Sequence, residues 1–272
     1  MTEAAAPRDW DAATYDRVSA PQVEWAGAVL DRLELRGDEV VLDAGCGSGR
    51  VTRMLLDRLP RGRVVAVDAA PSMVERAREA LPPDRVSVMA ADLAELELDE
   101  PVDAVFSNAV FHWVPDHGRL FARLYHALAP GARIVAQCGG KGNVERFHAT
   151  VREVADRPPF AAHLAGWTGP WNFASVQGTA ERLVRAGFVD VDVWHEPHPV
   201  VPEYTEDYLR TVCLGHHLER LPDAVRRPFV AAVAERCGEP LELDYVRLNI
   251  TARRPAADPG WKRLRRPLGF DR

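Results

Sequence analysis

A short apolar run, a glycine-rich loop and the start of a helical pattern follow one another in VVLDAGCGSGR, residues 40–50. The apolar run ends in Asp43, and Gly45, Gly47 and Gly49 then turn the chain. Glycine permits tight turns and lets the backbone approach a ligand with no Cβ in the way. Because open α/β sheets bind ligands at the carboxyl ends of their strands, this loop is predicted to border a binding site.

The strand–helix alternation continues to about residue 138. Short valine-rich runs predict strands buried on both faces of a parallel sheet, at residues 40–44, 63–68, 85–92, 102–108 and 132–138. Helical patterns lie between them, at 50–59, 71–81 and 117–128. Two later segments, 188–196 and 243–254, alternate with period two. We therefore expect a Rossmann-like, doubly wound α/β sheet of seven strands, the last antiparallel, with a helical lid.

The chain has 272 residues, a length that suits one domain over 1–272. Residues 35–138 form its predicted core. Helical lid elements are expected at 10–34, 139–187 and 203–238, the last broken at Pro222 and Pro228, and the arginine-rich end 255–272 is expected to be a flexible, solvated tail.

The composition excludes several classes of protein. The formal net charge of −6 argues against a protein held by nucleic-acid phosphates. Four cysteines without a CxxC pair argue against a disulfide framework or a zinc cluster, and no metal-ligand spacing is present. The first residues, MTEAAAPRDW, lack a signal-peptide pattern, and no apolar run is long enough to span a membrane. We expect a cytoplasmic protein with no membrane or nucleic-acid partner.

Two classes of cofactor use a glycine loop at a strand end, and dinucleotides are one of them. A dinucleotide-binding loop needs a small residue where this sequence has Arg50, which disfavours a nicotinamide dehydrogenase. Asp68 ends the second strand, and a carboxylate there can accept both hydroxyls of a ribose, which either cofactor has.

Four strand ends together resemble a known family. D-x-G-C-G-x-G at 43–49 is followed by V-D at 67–68, A-D-L at 91–93 and D-x-x-x-x-N-A-x-x-H-W at 103–113. This set is similar to the class I S-adenosylmethionine-dependent methyltransferases over roughly residues 35–140. The resemblance implies S-adenosyl-L-methionine as cofactor, a fixed sulfonium cation that acidic groups stabilise.

The resemblance also implies roles for individual residues. Asp43 would hold the methionyl amino end, Asp68 the ribose diol and Asp92 the exocyclic amine of adenine. Cys46 is interpreted as a small buried residue in the loop rather than a nucleophile, and Met73 as either an adenine wall or a core side chain. The cofactor-binding residues so implied are Tyr15, Gln22, Asp43, Gly45, Cys46, Gly47, Gly49, Asp68, Ala69, Met73, Ala91, Asp92, Leu93, Asn108 and Ala109.

A finer resemblance concerns the acceptor side. WDAATYDRVSAPQ at 10–22, NAVFHWVPDH at 108–117 and NITARR at 249–254 resemble the trans-aconitate methyltransferase-like branch of small-molecule methyltransferases. That resemblance implies an N-terminal helix over the cofactor, with Tyr15 and Ser19 as further contacts, and a helical lid over the acceptor.

The lid departs from that branch in its substrate-facing residues. A buried multi-carboxylate acceptor should meet basic residues in the lid, and this sequence has His216 and His217 there, which argues against trans-aconitate itself. Trp113, Trp167 and Trp171, with Phe173 nearby, instead favour a flatter or more apolar acceptor; the alternative is plain lid packing. These tryptophans and the two histidines are the candidate substrate residues.

His112, just after the fourth strand, is the candidate catalytic residue. A hydroxyl or activated carbon acceptor would need a base, whereas a carboxylate needs only alignment and desolvation. The alternative for His112 is a structural histidine packed beside Trp113, and His216 and His217 are the other candidate bases.

We therefore predict an S-adenosylmethionine-dependent methyltransferase that methylates a small molecule, at an oxygen of a carboxylate or hydroxyl. One alternative is a non-catalytic cofactor-binding module. Another is an RNA or protein methyltransferase, disfavoured by the acidic balance and by Ser107–Asn108–Ala109–Val110 in place of an N-P-P-type strand end. Monomer and homodimer both stay open.

Overall fold

One mixed seven-stranded sheet organises the protein. The computed structural model describes residues 20–203 and 205–256, with side chains from Trp25 onward. The strands are β1 Val40–Ala44, β2 Arg63–Asp68, β3 Val86–Ala90, β4 Val102–Asn108, β5 Leu128–Gly139, β6 Val189–Pro197 and β7 Val246–Arg253. Their order is β3-β2-β1-β4-β5-β7-β6, and β7 runs antiparallel to both neighbours. The predicted Rossmann-like α/β sheet with an antiparallel last strand is confirmed.

Helices follow the strands on both faces and at one edge. They are α1 Ala20–Asp31, α2 Arg50–Asp57, α3 Pro71–Ala80, α4 His117–Ala127, α5 Glu145–Ala155, α6 Ala161–Leu164, α7 Val176–Ala186, α8 Thr205–Tyr208, α9 Gly215–Arg220 and α10 Asp223–Cys237. A 3₁₀ turn spans Phe111–Trp113, and a π-helical turn spans Leu209–Cys213 between α8 and α9. Local signals set several ends: Pro71 begins α3, and Gly187 ends α7 at φ +104°.

Two hydrophobic clusters cover the sheet. Side chains from α1, α2 and α3, such as Leu30 and Leu55, pack on one face, and those from α4 and α7, such as Phe121 and Leu183, pack on the other. The central strands are therefore buried on both sides, which explains their uninterrupted apolar sequence.

A third hydrophobic cluster joins α5, α6 and α8–α10, which we call the cap, to Trp25 of α1. The chain leaves the sheet for the cap at Gly139, returns to it for α7 and β6, leaves again after Pro197 and returns at Val246. Gly139 lies opposite Arg247 in the antiparallel ladder, so the cap begins and ends at the edge where the parallel strands have their carboxyl ends.

The helices of the cap differ most from prediction. α5 and α6 lie in the segment 139–187, for which only helical lid elements without bounds were expected, although α5 buries Phe147, Val151 and Val154 at helical spacing. Pro222 does separate two helices, but the predicted break at Pro228 is wrong, because α10 continues through it. A proline in the second helical turn removes one backbone hydrogen bond, and the buried side chains of Phe229 and Val233 on the same helix anchor it in the cap.

No helix among the described residues is long and apolar enough to span a bilayer. The N-terminal motif residues Tyr15 and Ser19, the side chain of Gln22 and the expected tail after residue 256 lie outside the described part of the chain.

Candidate active site

The glycine loop adopts a backbone that side chains would obstruct. Gly45, Gly47 and Gly49 have φ of +92°, +54° and +88°, in the left-handed region. A Cβ on Gly45 would lie 2.1 Å from a methyl carbon of Val110, whereas one on Gly47 would meet nothing within 4 Å. Gly45 is thus required by internal packing, and Gly47 faces open space where a ligand can approach.

Asp68, at the end of β2, lies directly against this loop. Its Oδ2 accepts a hydrogen bond from the Gly47 N–H at 2.9 Å, and its Oδ1 accepts from the Ala70 N–H at 2.9 Å. Burial raises the pKa of this carboxyl, and the backbone donors oppose that rise.

Asp43, at the end of β1, is 1% exposed and accepts a hydrogen bond from the Thr52 hydroxyl of α2 at 2.7 Å. Burial raises the pKa of Asp43 to about 7; the nearby Asp68 adds to the rise and the Thr52 bond opposes it. This carboxyl therefore changes its charge near neutral pH, and a bound cation would favour the ionised form.

The third and fourth strand ends meet the same edge. The N–H of Ala91 donates to the backbone oxygen of Asp68 at 3.0 Å. Asp92 is exposed, with its Oδ1 accepting from the Ala94 N–H at 2.8 Å, and Leu93 is buried. Ala109, after β4 and Asn108, has φ +61°, and its N–H donates to the Gln137 oxygen at 2.7 Å.

The remaining loop residues differ in exposure. Cys46 is 6% exposed, and burial raises the pKa of its thiol far above the usual range, so it cannot act as a nucleophile in this state. Met73 is 3% exposed on α3, whereas Ala69 is exposed beside Asp68.

His112 is held in one tautomer. Its Nδ1 accepts a hydrogen bond from the Gly139 N–H at 3.3 Å, so the proton of the neutral ring is on Nε2. Burial, the positive charge of Arg247 and His117 lower its pKa well below the usual value. His112 is therefore a neutral hydrogen-bond donor at Nε2, and in this tautomer Nε2 has no lone pair with which to act as a base.

The candidate substrate residues meet in one group, which we call the ring cluster: His112, Trp113, His148, Trp167, Trp171, Phe173, His216 and His217. Trp171 lies at its centre, with ring centroids 6.2 Å from Trp113 and 6.1 Å from Trp167. The N–H of Asn172 donates to the His112 oxygen at 2.8 Å, which fixes the segment carrying Trp171 against the end of β4. All five sequence-predicted substrate residues are thus brought together.

Two residues at this site were not predicted from the sequence. The ring centroids of His148, on α5, and Trp171 lie 4.6 Å apart. The sequence pattern of α5 does not indicate which distant rings its side chains meet. Arg247 is 2% exposed; its Nε donates to Gln137 Oε1 at 3.3 Å, and its guanidinium lies 4.5 Å from the Trp25 ring centre. An arginine in an otherwise buried strand pattern could have drawn attention to it.

Burial also lowers the pKa of two cap histidines, to about 4 for His148 and about 3 for His217. These rings are neutral at physiological pH. Within residues 20–203 and 205–256, no three His, Cys, Asp or Glu side chains form a group that could hold a metal ion.

A family model and several curated relatives match this chain. A family model described as a methyltransferase domain matches residues 41–131. A trans-aconitate 2-methyltransferase from Methylobacterium nodulans is 36% identical over 187 residues, which cover 68% of this chain and 67% of the relative. Another, from Variovorax paradoxus, is 31% identical and covers 88% of this chain and 94% of the relative.

Solved structures agree at the level of the fold. Phosphoethanolamine N-methyltransferase 2 from Haemonchus contortus, in complex with S-adenosyl-L-methionine, superposes with a TM-score of 0.58 at 19% identity. The match covers 90% of this chain and 56% of that one.

Proposed function

This chain belongs to the class I S-adenosylmethionine-dependent methyltransferases, in the trans-aconitate methyltransferase-like branch, and we propose that it methylates an oxygen of a small-molecule acceptor. Its cofactor is S-adenosyl-L-methionine. The relatives are named for a carboxylate acceptor, which supports a small molecule and attack by oxygen.

The proposal assigns the cofactor to the edge formed by the glycine loop. Asp68 would accept hydrogen bonds from the ribose hydroxyls, and Asp43 would stabilise the cationic methionyl end. The observation that carries this assignment is the Asp68 carboxylate 2.9 Å from the Gly47 N–H, beside a loop residue that faces open space. Asp92 and the backbone around Asn108 complete the proposed cofactor site.

His112 would position the acceptor. With Nδ1 accepting from Gly139, its Nε2–H can donate to an acceptor oxygen. Such a donor holds a carboxylate in line with the sulfonium methyl group, and a carboxylate needs no proton removed before it attacks. The geometry at His112 thus favours a carboxylate over a hydroxyl, which would need a base.

Cofactor binding can be tested by calorimetry. Saturable S-adenosylmethionine binding is expected for the unmodified chain and is expected to be lost in Asp68→Ala, because two ribose hydrogen bonds disappear. Asp84→Ala removes an exposed acid elsewhere and should bind as before. An unchanged Asp68→Ala titration would refute the site assignment.

The reaction can be tested with cofactor carrying a deuterated methyl group, incubated with protein and a cell extract and read by mass spectrometry. Label in a small molecule is expected, and mild alkaline hydrolysis should release it as deuterated methanol, since an ester is hydrolysed and an ether is not. Label in RNA or protein would favour a macromolecular substrate, and binding without any labelled product would favour a non-catalytic module.

A further inference from the structure

The ring cluster begins at His112 and Trp113, directly after the end of β4 that the proposal assigns to the cofactor. Trp171 and Phe173 are nearly parallel, with an angle of 6° between their planes and 6.2 Å between centroids. Trp113, Trp167, Trp171 and Phe173 are all only half-buried. Covering such rings with another planar ring gains hydrophobic and stacking energy, which makes them suited to an aromatic ligand.

The same cluster offers little positive charge. Three of its four histidines, His112, His148 and His217, are held neutral by burial. The fourth, His216, has its Nδ1 3.4 Å from a carboxylate oxygen of Glu219. Arg220 lies over Trp167 at 5.1 Å with its side chain exposed to solvent. The buried Arg247 is close enough to lower the pKa of His112, so one buried positive charge lies near the His112 end of the cluster.

This charge distribution discriminates between acceptors. Trans-aconitate carries three carboxylates, and burying a carboxylate without a cationic partner is strongly unfavourable. One carboxylate at His112 would meet a neutral N–H donor and the field of one arginine. The other groups of the cluster are half-buried rings, whose faces suit an uncharged planar group.

We infer that the acceptor is a planar aromatic compound with a single carboxylate, its ring packed against Trp113 and Trp171 and its carboxylate at His112 Nε2, rather than an aliphatic tricarboxylate. This inference rests on the proposed function. In the step, a carboxylate oxygen forms a bond to the methyl carbon while the carbon–sulfur bond breaks. The electron pair of that bond stays on sulfur, so an anion and a sulfonium cation become a neutral methyl ester and a neutral thioether centre.

Ligand binding can be measured without turnover. Calorimetry with saturating S-adenosylhomocysteine compares 1-naphthoate, cyclohexanecarboxylate and trans-aconitate. We expect 1-naphthoate to bind at least 10-fold more tightly than either of the others. Equal or tighter binding of trans-aconitate, or no saturable binding of 1-naphthoate, would overturn the inference.

A matched pair of variants locates the binding. Trp171→Ala should weaken 1-naphthoate at least 10-fold and leave S-adenosylhomocysteine binding unchanged. Trp194→Ala removes a tryptophan on β6 that packs under Arg32, outside the cluster, and should change neither affinity. If Trp171→Ala does not fold, Trp171→Leu keeps apolar volume and removes the ring face. Unchanged 1-naphthoate affinity in a folded Trp171 variant would contradict the inference.

The two proposals fail separately. Methyl transfer to trans-aconitate by a protein that does not bind 1-naphthoate would keep the proposed function and refute the aromatic acceptor. Binding of 1-naphthoate with the Trp171 dependence above, but with no methyl transfer to any compound, would support the ligand class and refute the proposed function.

Discussion

The two halves of the proposed active site are built in different ways. The cofactor half consists of strand ends and a glycine loop, joined by hydrogen bonds between carboxylates and backbone N–H groups, such as that from Gly47 to Asp68. The acceptor half consists of side-chain rings from separate segments, such as Trp113, His148 and His217, packed together by the cap. The first half depends on local backbone geometry, and the second depends on how distant helices dock.

The largest effect is expected in the cofactor half, from Gly45→Ala. The new Cβ would lie 2.1 Å from Val110 in a backbone with φ +92°. We expect S-adenosylmethionine affinity to fall by about 100-fold or more, equivalent to about 2.8 kcal/mol at 1.4 kcal/mol per tenfold, together with a lower melting temperature. Calorimetry and circular dichroism measure the two.

Gly166→Ala is the control, because its φ is +73° but a Cβ there meets nothing within 4 Å. It should lose only the cost of the left-handed conformation, about 1–2 kcal/mol of stability, with affinity unchanged. Adding Val110→Ala to Gly45→Ala should restore part of the loss. Normal cofactor binding by Gly45→Ala alone would contradict the claim that the cofactor half depends on local backbone geometry.

A smaller effect is expected in the acceptor half, from His112→Phe. The variant removes the Nε2–H donor, and a hydrogen bond to a charged group is worth about 1.5–3 kcal/mol. We expect kcat/KM for the acceptor to fall by roughly 10–100-fold while cofactor affinity stays the same. Initial rates with an acceptor identified in the extract assay measure this loss.

His112→Gln keeps an N–H donor and should recover most of the His112→Phe loss. The ratio of wild-type to His112→Phe kcat/KM should also be the same at pH 6 and pH 8, since the pKa of His112 lies well below its usual value. A ratio that rises with pH through this range would show that His112 acts as a base instead of a donor.

Sequence-based prediction was accurate for the central strands and less accurate for the cap. β1, β2 and β4 have the predicted bounds, because a central strand buried on both faces is an unbroken apolar run. In the cap, helical segments were expected at 139–187 and 203–238 without bounds for α5, although Phe147, Val151 and Val154 of α5 are buried at helical spacing. The break expected at Pro228 is wrong, because α10 continues through it. The place of His148 in the ring cluster could not be predicted from nearby residues, since only the docking of α5 brings it to Trp171.

The next effect in size is a pH dependence of S-adenosylmethionine binding, which involves only the cofactor half. The pKa of Asp43 is raised to about 7, so below that pH the free protein holds this carboxyl protonated. A cationic ligand favours the ionised form, so affinity for S-adenosylmethionine should rise with pH. The rise between pH 6 and pH 8 should be about 10-fold for a group of this pKa.

Asp43→Asn provides the reference for that titration. The variant should bind S-adenosylmethionine more weakly and with a flatter pH profile, and any titration of the ligand's own amino group is common to both proteins.

Linkage predicts the matching effect on stability. The folded state holds the Asp43 proton more tightly than the unfolded chain, so this carboxyl makes the free protein less stable as pH rises through 4 to 7. Stabilisation by bound cofactor, measured as a shift in melting temperature, should therefore be larger at pH 8 than at pH 6.

The smallest effect is expected where the two halves join, at Ala109. This alanine has φ +61°, a conformation that costs an L residue about 1–2 kcal/mol. Ala109→Gly removes that cost, but the more flexible glycine also stabilises the unfolded chain by about 0.4–1 kcal/mol. The free energy of unfolding should therefore stay the same or rise slightly. Ala165→Gly, an exposed control with φ −55°, can only lose stability. The N–H of Ala109 still donates to Gln137, so cofactor affinity should change less than about two-fold, well under 1 kcal/mol. A large loss of cofactor affinity in Ala109→Gly would mean that this junction is fixed by the alanine side chain rather than by the backbone.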